Sequence, residues 1–412
     1  MSYERKRRGV TGAQPPPKRS RQEVRNPPKP TTRSSGFVTS TNCQVCKNAR
    51  RKAKDCIQES NFVCIDIPVS LLYKGIHTPQ ERLSKEQRVE KNKLKEQFLR
   101  RVCGLRNSGG GILLVHLVGL SSRDRYPGKL NEFTDDLLVK LINDGSLFAD
   151  CFSKQWLDAK EELKDYYDFI SITVRPKKQA VVTVNFMTKI PFDWKIEDPQ
   201  ACNIQALLSI RKTFNHKTPQ VRGGERKYRS LHESRNVQHK AFKAEKGEEK
   251  NLKSLLRDIP ALEKYIWEDQ RLREYITSFS KLDRGGSYFF GISEEDRTYE
   301  RKRYVSKHLV DHGLPLSERK LEKLKIYLLR RVQSDIFCCS YDGKKLNIDA
   351  SDLVHIANHH TKDNKYVLEV ATSAVEGLVF YEAEGPRSFA IKEGEIIRIP
   401  FCKWFDTFIS RR

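Results

Sequence analysis

A helix, a run of glycines and an apolar strand occur twice in this 412-residue chain, at 97–118 and again at 272–292. In the first copy the break is Asn107-Ser108-Gly109-Gly110-Gly111 before ILLVHLVGL; in the second it is Gly285-Gly286 before a strand running from Ser287 to Ile292. The endings also correspond: Pro191-Phe192-Asp193-Trp194-Lys195-Ile196 and Pro386-Arg387-Ser388-Phe389-Ala390-Ile391 share a Pro-x-x-aromatic-x-Ile spacing. Each ending follows two strand-like segments, DFISITV and VVTVNF in one half, KYVLEVA and GLVFY in the other. Repetition in one order predicts an α+β fold of two duplicated lobes with a groove between them, a natural seat for an extended ligand. The expected division is a disordered basic tail over 1–54, a first lobe over 55–210, a basic linker over 211–230 around Gly223-Gly224, and a second lobe over 231–412.

Within the first lobe, FVCIDIPVSLLY reads as a β segment. Residues 85–105 read as an amphipathic helix that turns Val89, Leu94, Phe98, Val102 and Leu105 inward. The three glycines are compatible with a phosphate cradle, but no Gly-Lys-Ser/Thr follows, so a tight helix-to-strand turn is the expectation. His116, inside an apolar strand, is expected to be a core histidine with its partners satisfied. A second helix is expected over 133–149, and DFISITVRP with AVVTVNFM should form a hairpin.

The second copy ends in acid. Glu294, Glu295 and Asp296 follow the strand directly, and a carboxylate at a strand mouth can hold a divalent cation if other acids converge on it. The competing reading is a solvated acidic turn.

Charge enters the argument through its placement. The chain carries +24, and residues 1–54 hold fifteen Lys/Arg against two Glu. Residues 211–250 hold twelve basic against five acidic side chains. Flexible basic arms suit a polyanionic partner, because each neutralised phosphate releases counterions. The same runs also read as a solubilising tail or an import signal (Arg5-Lys6-Arg7-Arg8, Lys18-Arg19). No apolar run approaches membrane-spanning length, and ten irregularly spaced cysteines fit a reducing cytoplasmic or nuclear home better than a disulfide scaffold. Cys43 and Cys46 form a Cys-x-x-Cys, followed by Cys56 and Cys64. Four such residues can bind zinc, but no second close pair completes the pattern, and Cys64 in Phe62-Val63-Cys64-Ile65 reads as core.

Taken together these segments resemble the Schlafen core domain. RVCGLRNSGGGILLVHL is similar to that family's helix, Asn-Ser-Gly-Gly-Gly turn and strand. YITSFSKLDRGGSYFFGI resembles its Ala-Phe-Ala-Asn-Thr-x-Gly-Gly-Tyr pattern with one extra residue, and PRSFAIKEGEIIRIPFCKWFDTFI resembles its closing Pro-x-Ser-Trp-x-Val-Lys segment. The likeness covers about residues 60–412 and corresponds to a short form without a helicase-like part.

The resemblance implies a pseudo-twofold, AlbA-like horseshoe that binds RNA and cuts structured RNAs such as tRNA with Mg or Mn. It places the family's strand-following acid at Glu294, three residues past Gly291. The family's Glu-Ser-x-x-x-Glu-Phe-Lys is matched by Glu233-Ser234-Arg235-Asn236-Val237-Gln238-His239-Lys240, so Glu233 takes the first acid position and neutral Gln238 the second. In this frame Glu233 and Glu294 are the catalytic, metal-holding acids, and KAEKGEEKN at 243–251 is an insertion. An alternative frame uses Asp258 and Glu263, which keep both acids at the required spacing, although Ile259-Pro260-Ala261 opposes a strand. Arg235, Lys240, Arg271 and Arg273 are the candidates for phosphate contact. The family's second-lobe zinc site is not expected here: Cys338 matches one ligand, but Ile336 stands at the histidine position and Leu378-Val379 near the Cys-Cys pair. The implied partners are RNA and other Schlafen-like subunits or a second copy of the chain, as in assemblies that process small-RNA precursors, including those of the piRNA pathway. Two other readings stay open: a non-catalytic RNA-binding subunit, and a nucleic-acid or chromatin binder acting through the tail.

Overall fold

The computed structural model describes residues 44–57, 59, 61–72, 84–120, 127–142, 145–176, 181–192, 195–212, 221–222, 237–240, 254–282, 285–298, 305–361, 363–393 and 395–409. It is a mixed α+β fold built on two four-stranded sheets.

The first sheet begins with α1 (Gln44–Cys56), β1 (Phe62–Pro68) and the short α2 (Val69–Leu72), then the long α3 (Lys85–Asn107) and β2 (Gly111–Val118). Ser84 starts α3 with a reciprocal capping box: its hydroxyl accepts from the Gln87 N–H, and the Gln87 side chain accepts from the Ser84 N–H. Two of the orphan donors of the first turn are thereby satisfied. Leu94, Phe98, Val102 and Leu105 are buried as their spacing predicts, whereas Val89 is half exposed because the first turns of α3 lie beyond the sheet-facing part of the helix. The β1 segment is also shorter than expected, since Val69–Leu72 coil into helix.

After β2 come α4 (Pro127–Leu138), α5 (Phe148–Cys151), β3 (Phe152–Trp156) and β4 (Phe169–Val174). The helix expected over 133–149 is therefore two pieces joined by single 3-10 turns at Val139–Leu141 and Gly145–Leu147. The strands lie in the order β1-β2-β4-β3, with β1 parallel to β2 and the other pairs antiparallel. A parallel pair needs a crossover, and α3 supplies it. The hairpin expected between DFISITVRP and AVVTVNFM does not form. β4 pairs with β2 and β3 instead, and Val184 donates its N–H to the Arg387 carbonyl at 2.8 Å. Long-range pairing outcompetes the local turn here.

The chain continues through the hairpin β5 (Ile190–Phe192) and β6 (Lys195–Glu197), α6 (Ala201–Lys212) and β7 (Val221–Arg222). The second sheet draws on β8 (Val237–Lys240), α7 (Ile259–Lys264), α8 (Leu272–Phe279), β9 (Gly286–Phe290) and the hairpin β10 (Ile292–Thr298)/β11 (Val305–Asp311). The chain then forms α9 (Glu318–Asp335), β12 (Phe337–Cys339), α10 (Ala350–Leu353), β13 (Val354–His360), β14 (Tyr366–Thr372), β15 (Ala374–Val375) and β16 (Leu378–Phe380). The hairpin β17 (Phe389–Lys392)/β18 (Glu395–Arg398) and α11 (Phe401–Ile409) close it. The second sheet is ordered β8-β9-β14-β13, again with the first pair parallel and the rest antiparallel. Its order and orientations repeat those of β1-β2-β4-β3.

Both glycine turns are required by close approach. Gly110 has φ +87°, and a Cβ on it would stand 2.7 Å from the Val174 carbonyl at the end of β4. Gly285 has φ +67°, and its Cβ would collide with the Thr372 carbonyl at the end of β14. The turn reading of the glycines holds, and they seat each helix against the corresponding strand end.

One apolar core lies under each sheet, around Phe98 and Leu113 in the first and Tyr288, Phe290 and Leu324 in the second. A third, aromatic cluster joins α6, β12, β16 and α11 through Phe186, Phe380, Trp404 and Phe408. Hydrogen bonds also cross between the halves. Asn107 at the end of α3 donates to the Phe389 carbonyl of β17, and Thr277 of α8 accepts from the Lys189 N–H just before β5. Each hairpin thus touches the helix of the other half.

The tail expected to be disordered through residue 54 contributes α1. Its three buried side chains, Cys46, Ala49 and Ala53, are small enough to let the helix lie close on the sheet. Residues 1–43 lie outside the described residues. The expected linker 211–230 is also partly engaged, since Val221 of β7 pairs with Val375 of β15. Among the described residues no helix is long and apolar enough to cross a membrane.

Candidate metal centre

β1 and β2 run parallel with Phe62 beside Ile112, Cys64 beside Leu114 and Asp66 beside His116. Side chains alternate across a sheet, so these six share one face, the face covered by α1. The row is apolar at Phe62, Ile112 and Leu114 and turns polar at Asp66 and His116. There α1 lays Cys46 across it.

The Cys46 thiol donates to Asp66 Oδ1 at 2.9 Å, and Cys46 Sγ lies 3.4 Å from His116 Nδ1. His116 Nδ1 is 3.1 Å from the same Asp66 oxygen. The other ring nitrogen, Nε2, faces Asp168 Oδ2 at 3.1 Å. Asp168 stands immediately before β4, and the Leu117 N–H donates to its carbonyl at 2.8 Å, which fixes its position beside β2. The imidazole stacks flat on Phe169, 4.5 Å between centroids and 4° between planes. Ring plane and both nitrogens are thereby set.

Electrostatics follows the geometry. Burial would raise the Asp66 carboxyl, but hydrogen bonds from His116 and Cys46 outweigh it and hold it below the usual carboxylate range. Burial would lower His116, but Asp66 and Asp168 on either side outweigh it and raise the imidazole above its ordinary value. Thiol, carboxylate and imidazole converge with all three donor atoms within 4.8 Å, an arrangement able to hold a metal ion.

The expectation that His116 is a satisfied core histidine is met, since it is 7% exposed and partnered on both nitrogens. Its place beside Cys46 was not legible, because the two lie 70 residues apart and the register of β1 on β2 joins them. The Cys-x-x-Cys pointed to Cys46, but its neighbours are Asp66 and His116. Cys56 is packed at the far end of α1, the Cys64 thiol lies 3.9 Å from the Cys46 carbonyl, and Cys43 lies outside the described residues.

The residues singled out in the second half fall in several places. Glu233 and Arg235 lie outside the described residues, as does the insertion at 243–251. Gln238 and Lys240 occupy β8, in register with Tyr288 and Phe290. Glu294 does not sit at a strand mouth. The chain turns at Gly291, φ 102°, and continues as β10, with Glu294 in register with Leu309. Asp258 stands at the N-cap position of α7 without a side-chain capping bond and is exposed, with Pro260 in the first turn. Glu263 is buried on α7 and accepts from Arg331 Nε at 2.8 Å. The alternative acid pair thus lies on a helix, with one member committed to an ion pair.

Arg271 adopts φ 59° ahead of α8 and pairs with Glu274 through Nε at 2.9 Å. The Arg273 guanidinium lies over the Tyr381 ring, 5.5 Å from its centroid. Cys338 is in register with Val379 and Cys339 with Leu378, so the positions compared with the family's zinc ligands are adjacent. All four are buried core residues.

Sequence reasoning missed a second buried polar group. Glu369 of β14, 2% exposed, accepts from the Ser287 hydroxyl at 2.6 Å and lies 2.7 Å from His359 Nε2. The carboxylate sits between serine and histidine, so the hydroxyl donates to Glu369 and not to the imidazole. This arrangement fastens β9, β14 and β13 together.

Neither a scan of protein-family models nor a search of curated proteins gives a match to this chain.

Proposed function

We propose that this chain is a Schlafen-type RNA-binding protein of two duplicated lobes, acting as a component of a metal-dependent endoribonuclease on tRNA or small-RNA precursors. The observation that carries the reading is the shared order of the two sheets, β1-β2-β4-β3 and β8-β9-β14-β13. Each contains a parallel pair whose second strand follows a helix and a glycine turn, in the segments that resemble the family. The contacts from α3 to β17 and from α8 to the β5 side add a reciprocal arrangement of the kind a pseudo-twofold horseshoe requires. The net charge of +24 favours a polyanionic partner.

The parallel pairing of β8 with β9 supports the frame through Glu233 and Gln238, since Val237–Lys240 form a strand beside the glycine-led strand. The competing pair lies on α7 with Glu263 spent on Arg331. In the favoured frame Glu233 and Glu294 would hold Mg or Mn, which polarises phosphate and activates water. Lys240 and Arg235 would contact the backbone, and specificity would come from groove shape.

A second reading follows from Gln238. A neutral amide contributes no charge to a hard cation, which favours a non-cutting RNA-binding subunit whose partner, a second Schlafen-like chain or another copy, supplies the missing acid. One experiment separates the readings: binding and cleavage of labelled tRNA and short capped RNA with Mn, for wild type, Glu233→Ala, Glu294→Ala and Glu263→Ala. Cutting lost in the first two variants and kept in the third supports a nuclease in this frame. Binding without cutting supports the subunit. Absence of RNA binding by the chain, with DNA bound through residues 1–43, overturns both in favour of a chromatin-type binder.

A further inference from the structure

We propose that Cys46, Asp66 and His116 bind one zinc ion, and that this ion fastens the basic helix α1 to the outer face of the first sheet.

The donor set selects the metal. A thiolate, an imidazole and a carboxylate are zinc ligands, whereas Mg and Mn prefer oxygen alone. This centre is therefore distinct in chemistry from any carboxylate site for Mg or Mn. The spacing also fits. Zinc bonds of about 2.0–2.3 Å at tetrahedral angles put ligand atoms about 3.3–3.6 Å apart. The three separations here are 2.9, 3.1 and 3.4 Å, so an opening of about 0.6 Å between Cys46 and Asp66, and less at the other two pairs, accommodates the ion.

The surroundings are those of a ligand histidine. Asp168 faces Nε2 at 3.1 Å and holds a proton on that nitrogen, so Nδ1, which faces Asp66 and Cys46, is the nitrogen placed to ligate the metal. Phe169 holds the ring plane. On binding, the Cys46 thiol and His116 Nδ1 each release a proton to solvent, Nδ1 ligates as the neutral imidazole with Nε2 still protonated toward Asp168, and Asp66 binds as the carboxylate. The fourth position belongs to a ligand outside this triad.

The fold supplies a reason for such a fastener. α1 exposes Lys47, Arg51, Lys52 and Lys54 and buries only Cys46, Ala49 and Ala53. Two methyl groups and a thiol bury little apolar area, so packing alone holds this helix weakly. A metal bonded at once to α1, β1 and β2 ties the helix to two strands.

The test uses the full chain, purified without chelator and under reduction. Wild type is expected to carry one equivalent of zinc by elemental analysis. After exchange for cobalt it should show a thiolate-to-cobalt charge-transfer band. Cys46→Ser and Asp66→Asn should lose the zinc, Cys202→Ser should keep it, and all should retain the wild-type far-ultraviolet circular dichroism. Chelator should speed tryptic cleavage after Arg50 and Arg51 in wild type and leave Cys46→Ser unchanged. Asp168→Asn keeps all three ligands and is expected to weaken zinc affinity about 10–100-fold. If Cys46→Ser does not fold, the Asp168→Asn affinity and the cobalt spectrum decide the matter. Wild type that neither retains nor acquires zinc, or equal zinc in wild type and Cys46→Ser, overturns the proposal and leaves a hydrogen-bonded cluster only.

Discussion

Asn107 and Phe389 are 282 residues apart in sequence and joined by a 2.8 Å hydrogen bond, from the Asn107 side-chain amide to the Phe389 carbonyl. The same amide donates to the Val182 carbonyl at 3.0 Å, and its oxygen accepts from the Val182 N–H at 2.8 Å. One side chain at the end of α3 therefore holds both the segment after β4 and the final hairpin.

Replacing Asn107 should uncouple these segments. Asn107→Ala removes the acceptor of the Val182 N–H and one donor from each carbonyl, while Ser388 and Cys103 still donate to the Val182 carbonyl, at a cost of about 1–3 kcal/mol. Asn107→Asp keeps the acceptor and loses both donations, so it too should destabilise. Urea unfolding of the two variants checks this, and wild-type midpoints in both would refute the role.

Gly285→Ala should be more damaging than its small size suggests. The position has φ +67°, and the added methyl meets the Thr372 carbonyl. Strain and collision together should remove about 2–4 kcal/mol, because the carbonyl belongs to β14 and has no room to retreat. Gly145→Ala, where nothing stands within 4 Å of the added carbon, is the matched control and should unfold at nearly the wild-type temperature.

Glu263 is expected to matter for stability and not for phosphodiester chemistry. Its carboxylate is buried and paired with the partly exposed Arg331 guanidinium at 2.8 Å. Glu263→Gln keeps the shape and removes the charge, which should cost about 1–2 kcal/mol. Thermal unfolding should register the loss while, under the proposed function, RNA binding per folded molecule stays unchanged. A selective loss of cleavage would instead revive the Asp258 and Glu263 frame.

Thiol reactivity should divide along burial. Burial pushes the Cys103 and Cys338 thiols up to about 12, and Cys339 rises for the same reason. Because the thiolate is the reactive form, these three should resist alkylation at about pH 8 until the protein unfolds. Among the described cysteines, Cys202 and Cys402 are exposed and should be labelled first, as peptide mass spectrometry can read. Early labelling of Cys338 would contradict the buried β12/β16 pairing.

The sequence by itself determined the mixed α+β class, the long helix over 85–105, both glycine turns and the strands that follow them. Those features rest on local periodicity, on capping residues such as Ser84, and on backbone conformations that only glycine adopts freely. It did not determine strand partners. DFISITVRP was expected to pair with the next apolar segment, yet β4 lies between β2 and β3. Glu294 was expected at a strand end, yet the strand resumes as β10 after Gly291. The composition of residues 44–54 concealed a helix, because three small buried side chains suffice to seat it. Only the tertiary structure decided that Cys46, Asp66, His116 and Asp168 meet. Their convergence depends on the parallel register of β1 with β2 and on the placement of α1, and both are set by the summed burial of the whole lobe.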